Sequence, residues 1–369
     1  MRFNQPIYVE YAQLERFATA LFVRSGLAPE GASLVSRCLV MADLRGVDSH
    51  GVTRIPIYVK RLEKGLVNPH PQVRAERVSA SVCLVDGDNG MGALVGTRAM
   101  EQALSMAGEA GVGVAAVRRS NHYGMAAFYA LQALDRGCIG MTMTNAPPTL
   151  APWGGRQALL GTNPLAVAVP AGQHPPIVLD MATSVVARGK IILAAQRGEP
   201  IPEGWALDPD GAPTTDARRA LAGVVLPFGG PKGSGLAILV DILAGVLTGA
   251  AFGRRIGDLY RNFEQAQDVG HFFLALNIAT FMPVAEFLRR MDEMIADLKR
   301  CAPASGHTEV LLPGEPEARC EAERRRTGIP LSSDVAAALY DVGERLDVPF
   351  PEFSGRPIES APDTTRERP

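Results

Sequence analysis

One glycine-rich segment constrains the fold more than any other part of the sequence. In SASVCLVDGDNGMGALVG, residues 79–96, a strand pattern leads into glycines and then into a helical pattern. A dinucleotide-binding fingerprint has that order, but it needs glycines spaced G-x-G-x-x-G and an acidic residue about twenty residues further on. Here the spacing from Gly90 is G-x-G-x-x-x-G, and the next strand pattern, GVGVAAVRR, leads into SNH. We therefore expect a structural turn rather than a phosphate-binding loop.

The composition indicates a large globular protein that acts on small molecules. The chain has 369 residues, of which 47% are hydrophobic, enough for two or more domains or lobes. A net charge of -2 without a basic excess argues against nucleic acid as a partner. The longest apolar stretch contains Asp241, which favours a buried helix over a membrane span. The N-terminus lacks a signal-peptide layout, so we expect a cytoplasmic protein whose partners are small molecules and copies of itself.

The cysteines predict neither a disulfide framework nor a zinc site. Their number is odd, they are far apart, and no two form a C-x-x-C pair. They are Cys38, Cys83, Cys138, Cys301 and Cys320.

Periodicity predicts an α/β (α+β) protein. Helices are expected at 11–25, 29–44, 54–64, from the glycine-rich turn to 110, and at 124–136, 235–249, 282–300 and 333–346. Strands are expected in VCLVD, GVGVAAVRR, CIGMTMTNAPP, LAVAVP, PIVLDMATS and GHFFLALNI. Residues 200–233 are rich in Pro, Gly and Asp and predict an ordered loop region, whereas the tail has few apolar residues and predicts disorder.

Polar chemistry is concentrated in RGVDSHGVTR, residues 45–54. Arg54 is expected in the first turn of a helix, where its planar guanidinium suits a carboxylate, with Tyr58 on the same face. The imidazole of His50 beside such an arginine suits the reduction of a 2-oxo acid, in which a proton reaches the carbonyl oxygen as hydride arrives. The alternative is a helix N-cap formed by Asp48 or Ser49, and the spacing alone leaves both interpretations open.

Two further segments place polar residues before predicted helices. SNHYGMA, residues 120–126, puts His122 on a turn with Gly124, where backbone N–H groups could bind a phosphate or where the histidine could be purely structural. FGGPKGSG, residues 228–235, surrounds Lys232 with four glycines, but the spacing is not that of a Walker A loop. LPGEPE, residues 312–317, predicts a turn.

The rival use of the histidines is a metal site in a hydrolase or lyase. Its ligands would come from His50, His122, His271 and Asp180. No pair among them has the i,i+4 spacing of a helical metal site, so we expect no metal.

Taken together, the ordered motifs resemble the malate/L-lactate dehydrogenase family, the type-2 lactate/malate dehydrogenases. The likeness covers about residues 8–345 and rests on these segments: ADLRGVDSHGVTRIPIYVKRLEKGLVNP, DGDNGMG, SNHYG, GTNPLAVAVP, LDMATSVVARGKI, WALDPDGAPTTD, GGPKGSGLAILVDILAGVLTGA and GHFFLALN. The resemblance implies hydride transfer between NAD or NADP and a 2-hydroxy or 2-oxo acid. It also implies a non-Rossmann cofactor domain with a mainly antiparallel sheet, helical N- and C-terminal regions, and a homodimer.

The resemblance also implies roles for individual residues. Ser49 and His50 match a proton-handling pair, although one branch of the family, the ureidoglycolate dehydrogenases, gives the acid–base role to the histidine that matches His122. Substrate contacts are expected at Arg54, Tyr58, Thr162, Arg188 and Gly189. Cofactor contacts are expected at His122, Tyr123, Gly124, Met125, Ala126, Asp180, Met181, Ala182, Pro231, Lys232, Pro313, Gly314 and Glu315.

Three positions depart from patterns within the family. Cyclic imine reductases have an aspartate where this chain has Lys190, which favours hydroxy-acid chemistry, as in the malate, lactate, ureidoglycolate and sulfolactate enzymes. Ser234 replaces a common tyrosine, which bears on the shape of the pocket. Pro231 stands where some NADP-dependent members have histidine, which favours NAD.

The sequence also suggests a division of the chain into five segments. These are a helical region with the Ser-His/Arg motif (1–75), a mixed α/β region with cofactor-binding segments (76–200), a region of loops, apolar helix and strand (201–300), a C-terminal segment that packs back on the core (301–350) and a disordered tail (351–369).

Overall fold

The structure is a computed structural model that describes Phe3 and residues 5–358. It divides into two compact units. The terminal unit combines residues up to Glu63 with those from Pro316 onward, and the central unit is Lys64–Glu315. The five-segment division stays a prediction, and residues 359–369 of the predicted disordered tail lie outside the described residues.

The six predicted strands appear in the expected order, but three of the described helices and five of the described strands were not predicted. Residues 200–233, predicted as loops, contain one of these helices and two of these strands. The described helices are α1 (Tyr11–Arg24), α2 (Pro29–Leu44), α3 (Ile55–Glu63), α4 (Gly92–Ala110), α5 (Ala127–Ala130), α6 (Arg188–Arg197), α7 (Ala217–Ala222), α8 (Pro231–Asp241), α9 (Val284–Arg300), α10 (Glu315–Thr327) and α11 (Ser333–Leu346). The described strands are β1 (Ile7–Val9), β2 (Arg74–Arg77), β3 (Val82–Asp86), β4 (Val112–Ser120), β5 (Cys138–Thr144), β6 (Leu165–Val169), β7 (Ile177–Met181), β8 (Ala206–Leu207), β9 (Val224–Val225), β10 (Val269–Asn277) and β11 (Ile329–Leu331).

The terminal unit is built from both ends of the chain. The carboxylate of Glu10 caps α1 by accepting from the Ala12 and Gln13 amides at 3.0 and 2.9 Å. The apolar face of α1 is buried, as its helical spacing predicts. Strand β1 pairs antiparallel with β11, so an N-terminal and a C-terminal segment close one small sheet.

The core of the central unit is a seven-stranded sheet. Its order is β2-β3-β4-β10-β5-β6-β7, and only the β3–β4 pair is parallel. The mainly antiparallel, non-Rossmann sheet expected from the family resemblance is therefore confirmed. Strand β10 lies between β4 and β5, which are neighbours in sequence, and its Phe273 and Ala275 are fully buried.

The glycine-rich turn that follows β3 packs against the exit of β4. The Gly87 and Asn89 amides donate to the carbonyls of Arg118 and Arg119 at 3.0 and 2.8 Å. The Asn121 side chain in turn donates to the Gly90 carbonyl at 2.9 Å. Because these groups bond to one another, the segment forms a structural turn, as the glycine spacing indicated.

Three predicted elements need correction. The helix expected at 124–136 is wrong, because Gly124 has φ +81° and α5 spans only four residues before a 3₁₀ turn over Leu131–Arg136. Helix α8 begins at Pro231, four residues earlier than expected, and continues as a π turn over Ile242–Val246. The turn in LPGEPE ends at Gly314, since α10 begins at Glu315. None of the described helices combines the length and apolarity needed to cross a membrane.

His271 is a buried core residue of β10. Its Nδ1 and Nε2 lie 2.7 Å from Thr144 Oγ1 and 2.8 Å from Ser120 Oγ, and its ring stacks on Tyr123 at 4.6 Å. Burial lowers the pKa of His271 to about 3. Two hydroxyls therefore hold a neutral imidazole in the sheet, which is a structural use of this histidine.

This burial predicts a loss of stability in mild acid. The unfolded chain binds a proton near the ordinary pKa of 6.5, whereas folded His271 does so only near 3. Its contribution is therefore complete above pH 6.5 and is lost as the pH falls below that value. In urea unfolding between pH 7.5 and 5, His271→Asn should reduce the pH slope of the unfolding free energy by up to about 1.4 kcal/mol per pH unit. The exposed-site control His307→Asn should keep the wild-type slope, and equal slopes for wild type and His271→Asn would contradict this account.

Candidate active site

The motif that follows α2 folds into two consecutive 3₁₀ turns, Asp48–His50 and Val52–Arg54. The Ser49 hydroxyl lies 2.9 Å from His50 Nδ1, so Ser49 fixes one ring nitrogen. Arg54 Nε donates to the Ser49 carbonyl at 2.7 Å. The turn therefore brings together the hydroxyl, imidazole and guanidinium that the sequence singled out.

The N-cap proposed for Asp48 or Ser49 is not formed, because neither 3₁₀ turn has a side-chain cap. Asp43, on the last turn of α2, accepts from the Val52 amide at 2.8 Å. The Asp48 carboxylate instead pairs with Arg324 on α10. The capping interpretation is therefore wrong, and the carboxylate that bonds to the turn comes from Asp43, nine residues before Val52.

The electrostatics of the motif favour a neutral imidazole. Burial, and then the charge of Arg54, lower the pKa of His50 to about 3. Burial also raises the pKa of Tyr58 and lowers that of Arg54. At neutral pH His50 is therefore uncharged. An anion bound at Arg54 would offset the charge of Arg54, raise the pKa of His50 and so make the imidazole a stronger base.

In the central unit, the turn between β4 and α5 forms a cradle of backbone amides. Gly124 lies in the left-handed region with φ +81°. Within the described part of the chain, the amides of Gly124 and Met125 donate no hydrogen bond. A Cβ on Gly92 would come within 2.2 Å of the Asn121 carbonyl and 2.5 Å of that of His122, so only glycine allows this packing. Amides around a left-handed residue are suited to an anion such as a phosphate.

Strand β7 brings two other expected cofactor segments to this cradle. Asp180 Oδ2 accepts from the Ala127 amide, the first residue of α5, at 2.8 Å. On the same strand, the Val178 amide donates to the Pro313 carbonyl at 2.9 Å. A Cβ on Gly314 would lie 2.8 Å from Val178 Cβ, which again requires glycine. The 122–126, 180–182 and 313–315 segments are therefore neighbours.

Lys232 lies in the first turn of α8. The preceding Gly229 and Gly230 have φ +55° and +63°, and the Phe228 amide donates to the Thr183 carbonyl at 3.1 Å. That hydrogen bond connects Phe228, which precedes α8, to Thr183, which follows the Asp180–Ala182 segment. The side chain of Lys232 is exposed, so its ammonium could bind a phosphate. Amide cradle, carboxylate and cation together fit a nicotinamide dinucleotide.

The substrate positions expected in the central unit border the same segment. Both the amide and the hydroxyl of Thr183 donate to the Thr162 carbonyl at 2.8 Å. Arg188 begins α6 and donates to the Leu221 carbonyl at 3.1 Å. Burial and the nearby charge of Arg261 lower the pKa of Arg188. Gly189 has open space where a side chain would be.

The sequence did not identify four residues that shape these sites. Asp43 and Arg324 hold the histidine turn, Gln267 Oε1 accepts from the His122 amide at 3.1 Å, and Arg261 acts on Arg188. Only Asp43 had a local sign, since it lies two residues before the motif. Arg324 and Arg261 lie in charged segments without a distinctive pattern.

The rival metal site finds no geometric support. Among the described residues, no three His, Cys, Asp or Glu side chains are placed to share a metal ion. Both ring nitrogens of His271 are engaged by hydroxyls.

Comparison with known proteins identifies the architecture. The family model described as malate/L-lactate dehydrogenase matches residues 9–340. The chain belongs to the malate/L-lactate dehydrogenase family. The structure of sulfolactate dehydrogenase from Methanocaldococcus jannaschii superposes with a TM-score of 0.87 at 38% identity, covering 92% of this chain and 98% of that one. A Δ1-piperideine-2-carboxylate reductase from Pseudomonas syringae superposes with a TM-score of 0.82 at 31% identity, covering 91% and 99%.

Relatives within the family differ in substrate and cofactor. A malate dehydrogenase from Pyrococcus abyssi is 40% identical over 91% of this chain and 94% of its own length. The NAD(+)-dependent ureidoglycolate dehydrogenase of Escherichia coli K12 is 34% identical over 89% and 95%. An NADP(+)-dependent (2R)-3-sulfolactate dehydrogenase from Chromohalobacter salexigens is 39% identical over 74% and 82%. This family membership makes the chain an NAD(P)-dependent hydroxy-acid dehydrogenase by class, with substrate and preferred cofactor left to the site.

Proposed function

We propose that this dehydrogenase interconverts a 2-hydroxy acid and its 2-oxo acid, with Arg54 binding the C1 carboxylate and His50 moving the proton. The observation that carries the proposal is the Ser49–His50–Arg54 turn, in which a hydroxyl lies 2.9 Å from one imidazole nitrogen and a guanidinium is tied to the same backbone. Such fixed placement of a proton-transfer group and a substrate anchor lowers the barrier of a reaction step.

His50 suits the role of base in the oxidation direction. Its pKa of about 3 keeps the imidazole neutral, and a substrate carboxylate at Arg54 would raise that pKa, so that the imidazole can accept the hydroxyl proton of the substrate. The substrate carboxylate at Arg54 would then stabilise the resulting imidazolium. In reverse, the same proton returns to the carbonyl oxygen. His122 is the competing proton donor that one branch of the family suggests.

The nicotinamide cofactor, when bound, supplies the site that accepts or donates hydride. We assign its binding to the 122–126 cradle, Asp180–Ala182, Pro231 with Lys232, and Pro313–Glu315. The close packing of these segments and the exposed Lys232 cation support this assignment. We favour NAD over NADP because Pro231 offers neither a charge nor an N–H to a 2′-phosphate.

The substrate class that we favour has a second acidic group beyond C2. The names of several similar proteins refer to malate or sulfolactate, each of which has such a group. A cleft of about 600 Å³ includes Pro147, Pro148 and Arg261 in its wall. The Ala146 amide donates to Asn163 Oδ1 at 3.0 Å, which places this wall beside Thr162. Arg261, which acts electrostatically on Arg188, is the proposed partner of the second acid.

We further propose a cytoplasmic homodimer. The five cysteines form no disulfide, which is typical of a reducing compartment. An apolar stripe on α8 and its π turn is exposed at Ile238, Ile242 and Val246, which are 42%, 46% and 54% accessible, with Leu239 and Leu247 beside it. Exposed apolar stripes of this kind are typical of subunit interfaces, and a second copy of the chain fits the family expectation.

The first test is oxidation of NADH and NADPH with pyruvate, oxaloacetate, sulfopyruvate and an oxo analogue of ureidoglycolate. We expect turnover with at least one acid. His50→Ala should then lower kcat by about 10²–10⁴, because the proton-transfer group is removed, while His122→Ala should lower it less. A wild-type kcat in His50→Ala would show that His50 does not transfer the proton. A larger loss of kcat in His122→Ala than in His50→Ala would assign proton transfer to His122. No turnover with any acid would reject the function.

The second test addresses the contact between Arg261 and the second acidic group of the substrate. Arg261→Gln should reduce kcat/KM for oxaloacetate by about tenfold or more, since a charge-assisted hydrogen bond is lost, and should leave pyruvate within about twofold. The control Arg218→Gln, an exposed arginine of α7, should change neither value. An equal loss for both acids would contradict a contact with the second acid.

The third test addresses the subunit interface. Val246→Arg or Leu247→Glu should convert the protein from twice the chain mass to the single-chain mass in light scattering, because a charge would be buried at the apolar stripe. Val78→Glu, at a position that is 50% exposed on another surface, should leave the mass unchanged. A monomeric wild-type protein, or dimeric stripe variants, would reject the interface.

A further inference from the structure

The turn that carries Ser49, His50 and Arg54 is held in place by the side chains of Asp43 and Arg324. Asp43 is 3% exposed, and its Oδ2 accepts from the Val52 amide at 2.8 Å. A Cβ on Gly51 would lie only 1.8 Å from Asp43 Oδ1, so the carboxyl occupies the space that any other residue at 51 would need. Asp43 and Gly51 therefore fit each other at the junction of the two 3₁₀ turns.

Arg324 fastens the other side of the same turn. Its Nη1 donates both to the Asp43 carbonyl and to the Asp48 carboxylate, and its Nη2 lies 3.3 Å from Asp48 Oδ2. One guanidinium thus joins the end of α2 to the start of the histidine turn. Its planar fork of donors can satisfy both acceptors at once, which a lysine cannot do in the same geometry.

Neighbouring residues of α10 strengthen this attachment. Glu321 pairs with the buried Arg45 at 3.3 Å. A Cβ on Gly46, which has φ +75°, would lie 3.0 Å from Cys320 Sγ. Positions 320, 321 and 324 lie on one face of a helix, so this face of α10 packs along the segment from Arg45 to Asp48.

We propose that Asp43 and Arg324 are positioning residues that hold His50 and Arg54 in their reactive placement. The inference rests on the proposed function for its catalytic consequence. Neither residue need touch the substrate. Each acts through the backbone of the turn, where a displacement of about 1 Å can cost about a hundredfold in rate.

The test combines hydrogen exchange with kinetics. In Arg324→Gln, backbone amides in the peptide 45–54 should exchange at least about tenfold faster, because the turn loses its charged tie. The kcat for the best 2-oxo acid should fall about 10- to 100-fold, with the dissociation constant of the cofactor unchanged. Arg324→Lys should recover part of both losses. Arg326→Gln, an exposed arginine on the same helix, is the matched control and should behave as wild type.

Asp43→Asn gives an independent test, because the amide oxygen can still accept from Val52. Its exchange and kcat should lie between those of wild type and Asp43→Ala. Unchanged exchange in the 45–54 peptide of folded Arg324→Gln would overturn the proposal, and so would faster exchange with wild-type kcat. If wild type turns over no acid, the proposed function fails separately, and exchange alone then decides whether Asp43 and Arg324 order the turn.

Discussion

The central sheet depends on the insertion of β10 between β4 and β5. This strand comes more than a hundred residues after its partners, and it pairs antiparallel with both along almost its full length. Its buried phenylalanine, alanine and histidine side chains pack into the middle of the sheet. The exits of β4 and β5 are thereby separated, which leaves room for the turn of His122 on one strand and the Pro147–Pro148 wall on the other. The placement of the turn that we propose for cofactor binding follows from this one pairing.

The regular elements could be predicted well because their burial has a simple period. Helices such as α1 and α11 have one buried face, and strands such as β5 alternate buried and half-buried residues. Prediction failed where a backbone conformation interrupts the pattern, as at Gly124, or where the pattern is weak, as in the highly charged α10. The order of strands in the sheet was not accessible from periodicity, since distant pairing leaves no local trace.

In the candidate site, too, some residues could be predicted from the sequence and others could not. Ser49, His50 and Arg54 stood out because three reactive residue types lie within one turn, and the structure indeed joins them by hydrogen bonds. The residues that hold that turn could not be found in the same way. Asp43 belongs by sequence to a helix, and Arg324 is one of three consecutive arginines distinguished only by the direction in which α10 presents them. The candidate groups were visible in the sequence, whereas the residues that hold them could be found only in the three-dimensional structure.

The terminal unit has a consequence for the order of events during synthesis. Its β1 strand pairs with β11, and the turn of His50 is tied to a guanidinium 276 residues further along the chain. At a ribosomal rate of roughly 5–20 residues per second, that residue follows Asp48 by about 14–55 seconds. For most of translation the nascent chain therefore contains the turn of His50 without the arginine that binds it. Synthesis of α10 and β11, rather than folding of the N-terminal helices alone, therefore sets the earliest moment at which the terminal unit can be assembled.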